Sequence, residues 1–480
     1  MLRFLVLLFV AGCWFPCARA ERTNILFIYL DDFGWRDCGF MGSDFYETPH
    51  LDQLAKDGMI FTDAYAGAAN CAPSRACLLS GQYTPRHEIY NVGTGARGAA
   101  AHRRLLHVPG TDVLRKDFVT WANRLQSAGY KTASIGKWHL SDSPLEFGFD
   151  VNIAGDHRGS PPSGYYPPHP RAVGLENADS KEYLTDRLNE EACKFITANK
   201  QHPWALYLTH FAVHTPLDAK RELLAKYRAK RPGDLHNHPE MATMIEAVDT
   251  GVGQILATLE KCDLKESTAI FFTSDNGGYG PATDMAPLKG YKGTYYEGGI
   301  RVPFFVNWPG KVAANSRCSV PVACVDLYPT FCELGGIEIP PTQTLDGASL
   351  MPLLQAPAGQ PDRLKAFPDR ALFWHFPAYL NSYKVYGEQR DPLFRSRPCS
   401  IIRYGDWKLH EYFESGDLEL YDLKEDVGES NNLALSNPDQ AERMLKRLRA
   451  WQQETKAPIP VTPNPKFDAK KEAAAIEKRN

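Results

Sequence analysis

The residues best placed to do chemistry begin at Cys71-Ala72-Pro73-Ser74-Arg75. Proline suits the first position of a helix, where its fixed φ fits and its missing N–H is not needed. The spacing therefore predicts a helix opening at Pro73, with Cys71 at or just before its N-terminus. Unpaired N–H groups and the helix dipole favour negative charge there. Arg75, four residues on, returns to the same side as Cys71. The pattern points to a nucleophile or anion site, or alternatively to a buried structural cysteine before a capped helix.

Two further groups supply metal-type oxygens. Asp31 and Asp32 follow the apolar run Asn24–Leu30, and Asp275 and Asn276 follow the run Thr268–Thr273. Three carboxylates and an amide oxygen are hard ligands that suit Ca²⁺ or Mg²⁺ rather than zinc. Each pair alone also reads as a turn or helix cap. Cationic side chains follow the other strand candidates: Lys137 and His139 after Lys131–Ile135, His214 after Trp204–Thr209, and Lys292 ahead of Glu297-Gly298-Gly299. Singly, these would be solvated loop residues. Together with Arg75 they could surround an anionic transition state. His210, inside or at the end of its strand, reads as a core histidine.

The elements that would position these groups form an α/β pattern. Short apolar runs alternate with helical periodicity to about residue 365, which predicts a large, mostly parallel sheet flanked by helices. Helices are expected over 49–58, 121–128, 181–198 and 241–262. Ligands of such sheets bind outside the carboxyl ends of the strands, where the candidates fall. From about residue 370 the runs 370–376, 400–404, 407–411 and 418–422 predict a small C-terminal antiparallel sheet, closed by a helix over 439–454. The last fifteen residues, rich in Lys, Glu and Ala, read as a solvated tail. The Pro/Gly-rich stretch 155–171 reads as a rim loop.

The expected division is a signal peptide over 1–20, a catalytic α/β domain over 21–365 and a C-terminal subdomain with its tail over 366–480. Arg3, the apolar run Phe4 to Pro16 and Ala18-Arg19-Ala20 give the charged, apolar and cleavage regions of an export signal. The protein is thus expected in the periplasm, outside the cell or in another secretory compartment; lipidation at Cys13 is the rival reading. No later segment reads as membrane-spanning. A net charge of −3 argues against nucleic-acid binding. Of eleven cysteines, eight remain once Cys13, Cys17 and Cys71 are set aside. Their even number permits disulfides without requiring them.

The string Cys71-Ala72-Pro73-Ser74-Arg75, continued through Leu78-Leu79-Ser80-Gly81-Gln82, matches the C-x-P-S-R signature of the sulfatases. The mature chain resembles a formylglycine-dependent sulfatase of the arylsulfatase-like type, in the alkaline-phosphatase-like superfamily. The resemblance implies that Cys71 is oxidised to formylglycine by a formylglycine-generating enzyme. It implies that Asp31, Asp32, Asp275, Asn276 and the modified Cys71 bind one calcium ion. Arg75 and His139 would position and activate the aldehyde hydrate. Lys137, His214 and Lys292 would hold sulfate oxygens or assist the leaving alcohol. C-terminal residues of this family often reach the substrate cleft, which makes His375 a candidate substrate ligand.

The implied substrate is a sulfate ester. Tyr165, Tyr166, Tyr295, Tyr296, Trp374 and Tyr379 could stack on sugar rings or simply pack, and the reading favours a sulfated polysaccharide or oligosaccharide. The rivals are a formylglycine-dependent phosphonate monoester or phosphodiester hydrolase and a catalytically silent glycan-binding homologue.

Overall fold

A computed structural model describes residues 22–177, 179–355, 367–383 and 390–479. The expected signal peptide and Cys13 lie outside the described residues.

The first strand, β1 (Asn24–Leu30), is buried along its whole length. Ile25, Phe27 and Tyr29 enter one hydrophobic cluster and Leu26, Ile28 and Leu30 the other. A strand apolar at every position is what a sheet covered on both faces requires. The remaining strands of this sheet are β2 (Met59–Phe61), β3 (Lys131–Gly136), β4 (Val151–Ile153), β5 (Trp204–Thr209), β6 (Thr268–Ser274), β7 (Phe304–Asn307) and β8 (Ser316–Cys318). Their spatial order is β4-β3-β5-β1-β6-β7-β2-β8. Strands β4, β3, β5, β1 and β6 are mutually parallel. Only β7 runs against its neighbours, pairing antiparallel with β6 and β2. The carboxyl ends of the five parallel strands therefore open on one edge.

Helices cover both faces. On one side lie α4 (Leu184–Ala198) and α5 (Pro239–Lys261), which present Leu188, Ala192, Met244, Ile245 and Val248 to the core. On the other lie α2 (Cys71–Ser80), α3 (Trp121–Ser127) and α6 (Leu327–Leu334). The helix expected over 49–58 is α1 (Pro49–Lys56).

The C-terminal sheet is antiparallel: β9 (Leu372–Phe376), β10 (Cys399–Tyr404), β11 (Trp407–Tyr412) and β12 (Leu418–Asp422), in that spatial order. Helix α7 (Pro438–Glu454) closes it, with Trp451 stacked on Phe373 at 4.6 Å. The sheet is bound to the larger core by Trp374, whose indole N–H donates to Ala66 O at 2.9 Å. A buried ammonium adds a second tie: Lys408 lies 2.9 Å from both Glu297 and Glu429.

The chain end is not the solvated tail expected. Residues Ala469–Glu477 form helix α8, capped by Asp468, which accepts from the Lys470 and Lys471 amides. Its Glu472 is buried and pairs with Arg104 at 3.1 Å and Arg397 at 2.9 Å. Composition hid this, because two arginines distant in sequence supply the helix's anchorage. All nine described cysteines are free thiols. Among the described residues no helix is long and apolar enough to cross a membrane.

Candidate active site

The sequence places Cys71 at a helix start, and the structure puts it one step further in. Helix α2 begins at Cys71 itself, with Asn70 as cap and Pro73 at the third position. The proline is still within the first turn, where an N–H has no intrahelical partner to lose. Cys71 is buried, on the floor of a cavity of about 320 Å³. Asp32, His139, His214 and Lys292 line the same cavity. Asp31, Arg75, Lys137, Asp275 and Asn276 lie beneath it, each fully buried.

Strand ends deliver most of these groups. Asp31 and Asp32 leave β1, Asp275 and Asn276 leave β6, and Lys137 and His139 leave β3. The β1 and β6 exits are coupled: the Asp275 amide donates to Leu30 O at 3.0 Å and the Asp32 amide faces Asp275 Oδ1 at 3.3 Å. Lys292 comes from a loop held against the Asn276 turn by glycine-only contacts. A Cβ at Gly277 would sit 2.0 Å from Gly298 O, and the Gly277 amide donates to Gly299 O at 2.9 Å.

The buried charges are paired in a chain. Arg75 donates to Asp275 Oδ2 through Nε at 2.9 Å, with Nη2 in ion-pair contact with the same oxygen at 2.8 Å, and donates through Nη1 to Lys137 O at 2.9 Å. It also bonds Thr209 Oγ1 at the end of β5. The Lys137 ammonium bonds Asp31, and Lys292 Nζ lies 2.6 Å and 2.7 Å from the two oxygens of Asp32. Burial pushes the Asp32 carboxyl up, but Lys292, His214 and Lys137 outweigh it and the group is held low. Asp275 goes the other way, to about 6, because burial and the Asp31 charge exceed the pull of Arg75. Burial lifts the Cys71 thiol to about 12 despite Lys137 and Lys292.

Burial disfavours the charged form of both cavity imidazoles. Burial, with the Lys137 and Arg75 charges, drives His139 well below its ordinary value, and its Nδ1 has no hydrogen-bond partner. Burial and then Lys292 lower His214 to about 3. The contact of His214 Nδ1 with Thr215 O, at 2.7 Å, requires an Nδ1–H donor, so Nε2 carries the free lone pair 3.9 Å from Asp32 Oδ2.

These residues fit a hard divalent cation. Ligating atoms of Asp31, Asp32, Cys71 and Asp275 all lie within 4.8 Å of one another. Asp31 Oδ1 and Asn276 Oδ1 are buried with no hydrogen-bond partner. Buried acceptors left unpaired are costly unless a cation or donor meets them.

His375 does not join the site. It is 1% exposed, with Nδ1 at 2.7 Å from Ser400 Oγ and Nε2 at 3.1 Å from Pro458 O, so it packs in the C-terminal sheet. His210 is buried as a core residue, with neither ring nitrogen paired. Tyr165, Tyr295, Tyr296, Trp374 and Tyr379 are packing residues, all 5% exposed or less. Tyr279 and Tyr383 line the cavity instead, ring to ring at 5.6 Å. Gly159 and Ser160 bring the Pro/Gly loop to its rim. Sequence reading missed Thr209, although it ends a strand at the same edge. Arg97 and Arg395 also line the cavity, and nothing local in the sequence marks them.

A doubly covered parallel sheet with acidic pairs, a helix-start cysteine and cations at its carboxyl edge defines a hydrolase site for tetrahedral oxyanion esters. The sulfatase family profile matches residues 23–337, and the profile for the C-terminal region of N-sulphoglucosamine sulphohydrolase matches 291–456. A sulfatase of Formosa agariphila is 31% identical, over 94% of each chain. Human N-acetylgalactosamine-6-sulfatase is 28% identical over 92% of this chain and 87% of its own. The crystal structure of Ps i-CgsB in complex with k-i-k-neocarrahexaose superimposes with a TM-score of 0.73 at 29% identity, covering 96% of this chain and 98% of that one. The chain belongs to the sulfatase family, with the alkaline-phosphatase-like fold, and is a sulfuric ester hydrolase.

Proposed function

We propose that this sulfatase removes sulfate from a sulfated polysaccharide or oligosaccharide after export, with residues 1–20 as its signal peptide. In this reading residues 21–365 are the catalytic domain and 366–480 the C-terminal subdomain. Cys71 is oxidised to formylglycine by a formylglycine-generating enzyme, and one calcium ion is held by Asp31, Asp32, Asp275, Asn276 and the modified Cys71. The observation that carries the reading is Cys71 at the start of α2 on the cavity floor, its Sγ grouped with three carboxylates. That Sγ occupies the place of the modified side chain's oxygens. A relative named for an N-acetylgalactosamine sulfate and a structure solved with neocarrahexaose support a glycan substrate.

The hydrated aldehyde supplies a nucleophilic oxygen, and calcium supplies the positive charge that lowers its pKa. Arg75 fixes Asp275 and, through Lys137 O, the start of the loop that carries His139. Lys292 on the cavity wall, and Lys137 buried behind it on Asp31, supply positive charge to the sulfate oxygens. His214 offers Nε2 to the cavity. An anionic ester beside it raises its basicity, so it can gain a proton and pass it to the departing alcohol oxygen. His139, neutral and with Nδ1 free, accepts the proton whose removal restores the aldehyde.

The test is sulfate release from a panel of sulfated glycans and an aryl sulfate, with calcium present and Cys71→Ala as control. The mass of the Cys71 peptide reports whether the aldehyde is in place. Release that disappears in Cys71→Ala supports the proposal. No release by aldehyde-bearing protein sinks it, and a phosphonate monoester in the same panel checks the rival hydrolysis. A structural likeness to a phosphonate monoester hydrolase of Agrobacterium radiobacter, TM-score 0.63, warrants that arm.

A further inference from the structure

Four arginines are buried among the described residues: Arg75, Arg301, Arg395 and Arg403. Three are ion-paired, Arg75 with Asp275, Arg301 with Asp63 and Glu297, and Arg403 with Asp63. Arg395 is the exception. It is 9% exposed, and among the described residues no carboxylate pairs with it. Its Nε donates to Asn381 O at 3.0 Å and its Nη1 to Lys292 O at 3.2 Å, with the guanidinium carbon 3.8 Å above the Tyr383 ring. Neutral carbonyls and a ring fix its direction without cancelling its charge. Burying a cation unpaired is unfavourable unless an anion comes to it.

A second guanidinium stands close by. Arg97 donates to Val92 O at 2.7 Å and also has no carboxylate partner among the described residues. Both arginines line the cavity that holds Cys71 and Lys292. Burial holds Arg395 below the usual arginine range, and the Arg97 charge adds to that. Lys292 joins the two halves of the cavity. Its ammonium serves the Asp32 side while its carbonyl anchors Arg395.

We propose that Arg97 and Arg395 form a second anion subsite beside the scissile sulfate, which takes a carboxylate or another sulfate carried by the same glycan. A planar guanidinium matches both groups with paired N–H donors. The preferred substrate is then a glycan with at least two anionic groups near one another, not a neutral sugar with a lone sulfate. The inference rests on the sulfate-ester reading given above.

The experiment is calorimetric titration of the full-length Cys71→Ala protein with calcium present. The probes are neocarrabiose monosulfate, neocarrabiose disulfate and a monosulfated chondroitin disaccharide, whose second anion is a uronate. At least one doubly charged probe is expected to bind about tenfold tighter than the monosulfate, equal to about 1.4 kcal/mol. Which of the two binds tighter identifies the second group. Adding Arg97→Gln or Arg395→Gln should shrink the gain to less than about threefold, while Arg395→Lys keeps part of it. Arg97 is only half-buried, so its variant serves if Arg395→Gln does not fold. Equal binding of all three probes, or a gain that survives both Gln substitutions, overturns the proposal. Sulfate release by the aldehyde-bearing enzyme is measured separately, so failure of the sulfatase reading is distinguishable.

Discussion

Arg75 meets Asp275 on one oxygen only: Nε and Nη2 both approach Oδ2, at 2.9 Å and 2.8 Å. Oδ1 is left turned toward the Asp32 amide and the group of candidate ligands. One arginine thereby neutralises a buried carboxylate and still leaves half of it available for a cation. Arg75→Lys is expected to lose this fork and cut kcat/KM by a hundredfold or more. Arg75→Ala, which strands a buried charge, should lower stability by about 3–5 kcal/mol in denaturant melts. A loss below about 1 kcal/mol would show that the pair is not load sharing in the way its burial suggests.

Calcium should stabilise the protein more at pH 7 than at pH 5. Without an ion, Asp275 titrates near 6 in the fold, above its unfolded value of 3.8. A raised carboxyl favours folding below its unfolded pKa, and that contribution is lost as pH rises through about 6. The ion competes with the proton, so its stabilisation grows across the same window. Thermal melts with calcium and with chelator at the two pH values check this; an equal increment at both would contradict it.

Gly159 lies against His139. A Cβ added there would meet the ring at 2.2 Å from Cε1. Gly159→Ala should displace the imidazole and reduce kcat by roughly ten- to a hundredfold, the range typical of a misplaced acid–base group. The unfolding midpoint is expected to change little, because residue 159 sits in a rim loop. Steady-state kinetics beside a melt separates the two effects.

Acid should unfold the protein steeply. His87, His210, His375 and His410 are buried, and burial lowers each to about 3, from 6.5. Between those values the unfolded chain holds more protons than the fold, so stability falls as pH drops below about 6.5. Each imidazole contributes a slope of up to about 1.4 kcal/mol per pH unit. Denaturant melts from pH 7 to pH 4 measure the slope, and His410→Gln should reduce it. A flat profile would mean that these rings protonate in place.

The fold was legible wherever a segment's own pattern carries the cause. Asn24–Leu30 and Trp204–Thr209 read as strands because they are apolar at every position, and the sheet covers both faces of each. The antiparallel run of β7 was not legible, since a four-residue apolar strand carries no sign of its direction. Helix α8 was missed because Arg104 and Arg397, not its own composition, hold Glu472.

What the sequence by itself determined is the chemistry: a cysteine at a helix start, acidic pairs and cations just past strand ends. Those positions follow from local pattern, and a parallel sheet sends every such end to the same edge. Tertiary structure alone decided which of them face the cavity and which lie beneath it. Cys71, Asp32 and Lys292 line the cavity, Arg75 and Lys137 support it from below, and His375 is packed elsewhere. It also brought Arg97 and Arg395 into the lining of one cavity from segments far apart in sequence. No local pattern encodes that meeting, because it depends on how the C-terminal strands close over the larger sheet.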